Sequence, residues 1–160
     1  MKFLLSLDRW IARCERVTAV SLLSLTVCIV ILQVFFRYVL NSSLSWSEEA
    51  ARYLFIWASV LGFSSCIESR RLFSFDSVAV SLPLIGQKIC KLLYVFSIIV
   101  FLWVLIYHGN SLVSLTMTQS SPAIGLPMAF AYAALPIGGV LMTLHFLAAW
   151  WERATLSKPT

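Results

Sequence analysis

Residues 92–151 read LLYVFSIIVFLWVLIYHGNSLVSLTMTQSSPAIGLPMAFAYAALPIGGVLMTLHFLAAWW, sixty consecutive positions without an Asp, Glu, Lys or Arg. A membrane-spanning helix needs roughly 20 apolar residues at about 1.5 Å each, so this stretch is too long for a single crossing. Its middle, Thr116 to Pro127, is polar and rich in helix breakers, and divides it in two. The spacing predicts one span over 88–113, opened by Lys88 and Lys91 after a turn at Pro83–Gly86, and another over 127–151. Pro127 suits the first turn of the later helix, where its missing N–H is harmless. Pro136 lies deeper, removes an internal hydrogen bond and is expected to kink the helix. Gly138 and Gly139 just behind it permit close approach of a neighbouring helix.

Toward the N-terminus the same signal recurs twice. Val17 to Phe36 is twenty residues without a charge, and Tyr53 to Ile67 is a further run of fifteen. These predict spans over 16–37 and 47–68. The second begins near Ser47, because Ser45-Trp46-Ser47-Glu48 offers a Ser-x-x-Glu capping box and Trp46 suits a membrane interface. Glu48, Glu49 and Arg52 then fall in the first turns, at spacings of four and three that let acid and base meet. The composition agrees: 60% hydrophobic and 12% charged, with a mean hydropathy of +0.89. A soluble domain averages about 45–50% and about 25%. The expectation is an all-α integral membrane protein with four transmembrane helices.

The net charge of +5 is distributed as topology demands, not as a nucleic-acid patch. Alternate loops hold ten Lys and Arg against two, and the positive-inside rule places both termini and the middle loop in the cytoplasm. Residues 1–15 carry Phe3, Leu4, Leu7, Trp10, Ile11 and Cys14 on one side and Lys2, Arg9 and Arg13 on another, a pattern for a helix lying in the headgroup plane. A second short interfacial helix is expected over 76–83, with Asp76 as N-cap. No cleavable signal peptide is expected, since the first apolar run exceeds the usual length.

Catalytic signatures are missing from the sequence. There is no HExxH, GxSxG, Walker A or Rossmann fingerprint, and Cys14, Cys28, Cys66 and Cys90 show no ligand spacing. His108 and His145 fall at opposite ends of the membrane domain, roughly 20–25 Å apart at the helical rise, too far to share a haem or metal. The reading is a non-enzyme with no cofactor and no metal. Arg37, Glu48, Glu49 and Arg52 all lie toward the outer surface, where charges pair with one another or with a partner. A scaffold subunit fits best; a membrane anchor of a redox complex and a self-sufficient homo-oligomeric exporter are the alternatives.

The stretch Gln33-Val34-Phe35-Phe36-Arg37-Tyr38-Val39-Leu40-Asn41, followed by Trp46-Ser47-Glu48-Glu49-Ala50-Ala51-Arg52-Tyr53, closely resembles the small permease (Q) subunit of tripartite ATP-independent periplasmic (TRAP) transporters. Ser121-Pro122-Ala123-Ile124-Gly125-Leu126-Pro127-Met128, continuing through Tyr132 to Pro136-Ile137-Gly138, is similar to a second stretch of that family. Phe75-Asp76 after Arg70-Arg71 is a weaker third match, and Leu72 stands where the family often has histidine. The resemblance implies a bacterial inner-membrane subunit that partners a large many-spanning subunit and a periplasmic substrate-binding protein in sodium-driven uptake of organic acid anions, such as C4-dicarboxylates or sialic acid. It also implies a structural and docking core of Arg37, Asn41, Trp46, Ser47, Glu48, Glu49, Arg52, Asp76, Pro127, Pro136 and Gly138.

Overall fold

A computed structural model describes residues 2–42, 44–68 and 83–156. Helix α1 spans Lys2–Tyr38, α2 Ser45–Glu68, α3 Leu84–Thr116, α4 Ala129–Tyr132 and α5 Ala134–Leu156. Four segments are long and apolar enough to cross a membrane, α4 and α5 acting together as the fourth. The segments expected at 1–15 and 16–37 form one continuous helix from residue 2 to 38. The helix expected at 76–83 lies, but for Pro83, outside the described residues.

Three boundaries differ from the sequence reading, each for a local reason. α2 starts at Ser45, two residues early, with the Ser47 N–H and hydroxyl both donating to the Leu44 carbonyl, at 3.2 and 2.6 Å. The Pro83–Gly86 turn is the entry to α3: Pro83 sits just before the helix at φ −60° and its carbonyl accepts from Gln87 N–H (3.1 Å), a place where a missing N–H costs nothing. Pro127 lies before the fourth span, not in its first turn, because it pairs with Ser120 in an isolated antiparallel bridge. The expected disturbance at Pro136 is present as the interruption at Ala133 that separates α4 from α5. A proline at 136 cannot donate to the Tyr132 carbonyl and crowds it.

The packing is inverted relative to a water-soluble bundle. The buried apolar residues are mostly alanines, whereas Glu15, Thr26, Ser47, Ser64, Ser65, Thr116, Ser121 and His145 are buried polar groups. Large apolar side chains point outward along α1 and α3, including Val20, Ile31, Phe35, Leu92, Phe96 and Trp103. On α1 the covered positions are Asp8, Ile11, Ala12, Glu15, Ala19, Leu22, Thr26, Ile29, Gln33 and Phe36, and apart from Ile11 they are spaced alternately by four and three. That 3.5-residue period keeps one face against a partner helix as the two supercoil. The buried residues of α2 are Ser47, Ala51, Ala58, Leu61, Ser64, Ser65 and Ile67; five of the seven are Ser or Ala, which bring backbones close where lipid supplies no hydrophobic drive.

α1 packs along α2, α2 along α5 and α5 along α3, leaving α1 and α3 as the flanks. α2, α3 and α5 meet at Ile67, Leu102 and Met142, enclosed by Val60, Ile98, Leu105 and Phe146. The α5 glycines set this spacing. A Cβ on Gly138 would overlap Val60 of α2, and one on Gly139 would stand 2.7 Å from Ile106 Cγ1 of α3. Gly109 of α3 likewise admits Pro136, whose Cδ would be 2.9 Å from an added Cβ.

Candidate functional site

The chain reverses twice at one end of the fold, at residues 39–44 and 117–128, and most of the sequence-predicted residues gather there. α1 stops where Asn41 takes a φ of 49°, a left-handed conformation that asparagine tolerates better than other side chains. That geometry lets Ser42 N–H reach back to the Phe36 carbonyl (3.1 Å). Asn41 is therefore a backbone residue in the first instance. Ser47 is fully buried at the start of α2, Trp46 is about half exposed and Arg37 lies 6.0 Å from the centroid of the Tyr38 ring.

The two glutamates separate rather than sharing Arg52. Glu48 accepts from Gln33 Nε2 of α1 at 3.0 Å, joining the two helices just below their connection. Glu49 crosses to the second loop, where its carboxylate accepts from the Ser121 hydroxyl, Ala123 N–H (3.2 Å) and Ile124 N–H (3.1 Å). Among the described residues no close ion pair joins Arg52 to either acid, although its charge acts on Glu49 through space, and Arg52 is exposed. The helical spacing allowed that pair; two backbone N–H donors and a hydroxyl, already aimed by a tight loop, make the better carboxylate seat.

The loop is built to receive Glu49. Ser121 N–H bonds to the Leu126 carbonyl (2.8 Å), Gly125 N–H to the Ser121 carbonyl (3.0 Å), and Met128 N–H to the Gln119 carbonyl (2.9 Å). Gly125 adopts φ 74°, which closes the turn without a side-chain penalty. Trp57 Nε1 donates to the Phe130 carbonyl (3.0 Å), fastening α2 to the start of the fourth span. The two stretches that carry the family resemblance thus meet in space through Glu49 and Ser121. Pro136 and Gly138 serve the helix packing below, and Asp76 lies outside the described residues.

The opposite end holds a cluster that the sequence reading did not assemble. His145, only 1% exposed, places Nδ1 2.7 Å from Asp8 Oδ1 and Nε2 3.1 Å from Glu15 Oε1. Arg16 meets Glu68 at 3.6 Å beside it. The signal was present: Asp8 and Glu15 are seven apart, two turns on one face of an otherwise basic helix segment. The face they point to could not be read from α1 alone. His108, at the other end, is exposed and rests edge-on against Tyr107 and Trp103. Among the described residues no group of three or more His, Cys, Asp or Glu is arranged to hold a metal ion.

Known proteins similar to the chain point one way. The sequence profile of the DctQ component of tripartite ATP-independent periplasmic transporters matches residues 26–156. A TRAP transporter small permease protein of Haemophilus influenzae is 30% identical over 138 residues, covering 86% of each chain. The isethionate TRAP transporter permease DctMQ of Oleidesulfovibrio alaskensis is 30% identical over 64% of this chain and 16% of its own length. The sialic acid TRAP transporter permease SiaT of Haemophilus influenzae is 25% identical over 93% of this chain and 23% of its own.

Proposed function

The chain belongs to the family of DctQ components of tripartite ATP-independent periplasmic transporters, and from that premise we propose that it is a non-catalytic scaffold for a larger transport subunit. It is a multi-pass membrane protein. The observation that carries the scaffold reading is the inverted packing: polar and small residues close the inside, while α1 and α3 turn continuous apolar flanks outward. Such flanks suit lipid and another membrane protein equally. The DctMQ and SiaT permeases each align with the chain over only a minor part of their length. The remainder of each such permease would correspond to the large subunit against which this chain packs.

In this reading the apolar flanks pack on the large subunit, and the end bearing Arg37, Trp46 and Arg52 faces the periplasm. Arg37 and Arg52 are exposed there and are available to that subunit or to a substrate-binding protein. Arg9 and Arg13 at the cytoplasmic end meet anionic headgroups. The substrate class is an organic acid anion, by analogy with the isethionate and sialic acid named for two relatives, and sodium supplies the drive. Substrate and ion sites would lie on the large subunit.

Purification of the tagged chain in mild detergent, with mass spectrometry of what accompanies it, tests the proposal. A stoichiometric many-spanning partner supports it. Recovery of this chain alone from a folded preparation, or of redox proteins with a haem spectrum, overturns it.

A further inference from the structure

We infer that Asp8, Glu15 and His145 form a proton-dependent latch that holds the first fifteen residues of α1 upright against α5. Asp8 and Glu15 precede residue 26, where the family match begins, while His145 lies within it. Both ring nitrogens of His145 face carboxylate oxygens, Nδ1 at 2.7 Å from Asp8 and Nε2 at 3.1 and 3.2 Å from Glu15. An ionised carboxylate can only accept. Each ring nitrogen must then donate, which requires the imidazolium. A neutral ring carries one N–H and can serve one carboxylate, leaving the other buried, charged and unpartnered beside it.

The charges around the ring do not replace that proton. From α1 the facing groups are Asp8 and Glu15, while Arg9, Arg13 and Arg16 lie on exposed positions. From α2, Glu68 is engaged by Arg16 at 3.6 Å. α3 carries Lys88 and Lys91 near the same end, both exposed, and α5 itself carries the partly covered Glu152 two turns on.

The held segment has little else to hold it. α1 is 37 residues long, about 55 Å at the helical rise against a hydrocarbon core of about 30 Å. α2 ends at Glu68, which Arg16 reaches at 3.6 Å, and ahead of Arg16 the carboxylates of Asp8 and Glu15 both run to His145 of α5. The same segment exposes Trp10 (64%) and Leu7 (44%) beside Arg9 and Arg13, which suits it to lie in the headgroup plane once released. The latched state binds the ring proton and the released state does not need it. The upright arrangement is therefore present at lower pH and lost as pH rises through the titration of the ring.

The test uses the full chain in nanodiscs of mixed zwitterionic and anionic phospholipid. Nitrogen-15 histidine spectra report the ring protonation of His145, with exposed His108 as internal reference. Hydrogen exchange, corrected for its chemical pH dependence, reports residues 2–15 over about pH 5 to about pH 9, the range histidines cover when perturbed. The expected result is a doubly protonated His145 at the acid end, with protection of residues 2–15 falling as the ring loses its proton. Asp8→Asn and Glu15→Gln should each lower the pH at which the ring loses its proton by at least about one unit, a tenfold weaker hold on it; a neutral ring can serve the one carboxylate that remains, so in these two variants alone protection should outlast the proton. His145→Gln should abolish the pH dependence. A neutral ring at the acid end, a ring that keeps its proton throughout, or protection that ignores its loss overturns the latch.

Discussion

Glu49 and Arg52 are one helical turn apart, and the contrast between them shows what a residue's spacing does and does not say. Spacing made them a candidate ion pair; the fold gives Glu49 to Ser121, Ala123 and Ile124, more than seventy positions away, and leaves Arg52 exposed. Replacing Glu49 with Ala strands two backbone N–H groups in the loop at residues 121–125. The expected result is a lower melting temperature in detergent and faster proteolysis within residues 117–128, because the loop loses the acceptor that joins its N–H groups to α2. Arg52→Ala should leave the melting of the isolated chain within about 0.5 kcal/mol of unchanged, as for other exposed positions, while lowering the yield of the complex with the large subunit. Equal stability losses in the two variants would contradict the loop-seat account of Glu49. Among the described residues the buried hydroxyl of Ser64 has no hydrogen-bond partner, and nothing in the structure explains it.

At the scale of helices, glycines decide how near α5 comes to its neighbours. An alanine at Gly138 would force its Cβ into Val60 and push α2 from α5, at an expected cost of about 1–3 kcal/mol for overpacking. Val60→Ala in the same chain should recover part of that loss, because the two changes share one contact. Gly62 in α2 is the control: an added Cβ meets nothing within 4 Å, so Gly62→Ala should be neutral or stabilising by up to about 1 kcal/mol through helix propensity. Thermal unfolding of the three variants in one detergent measures all of these. The positions of α2, α3 and the fourth span were legible because long apolar runs mark them. Their ends moved by several residues, since Ser47, Pro83 and Pro127 each suit more than one place near a helix start, and the neighbouring backbone selects among them.

Across the whole molecule, the two long flanking helices overshoot a bilayer while the inner pair nearly matches it. α2 has 24 residues and α3 has 33, or about 36 and 50 Å at the helical rise. The charge distribution predicts which end is which. In intact cells a membrane-impermeant thiol reagent should label a single cysteine introduced as Ser120→Cys, in a chain whose native cysteines are replaced. Single cysteines retained at Cys14 or Cys90, both exposed, should react only after permeabilisation. Labelling of Cys14 in intact cells would invert the topology and with it the assignment of the docking end.

Composition, run length and charge placement were enough for a four-span helical membrane protein, because those properties are local sums that no packing can reverse. Motif order was enough for the family. Which polar groups meet was left to the tertiary structure: Glu49 with the loop after α3, and His145 with Asp8 and Glu15. Each contact joins segments more than seventy residues apart. A helix face states that a polar side chain must be satisfied inside a membrane, but not by whom. That depends on crossing geometry set by Gly138, Gly139 and Gly109, where the nearest backbone, rather than the nearest opposite charge in sequence, supplies the partner.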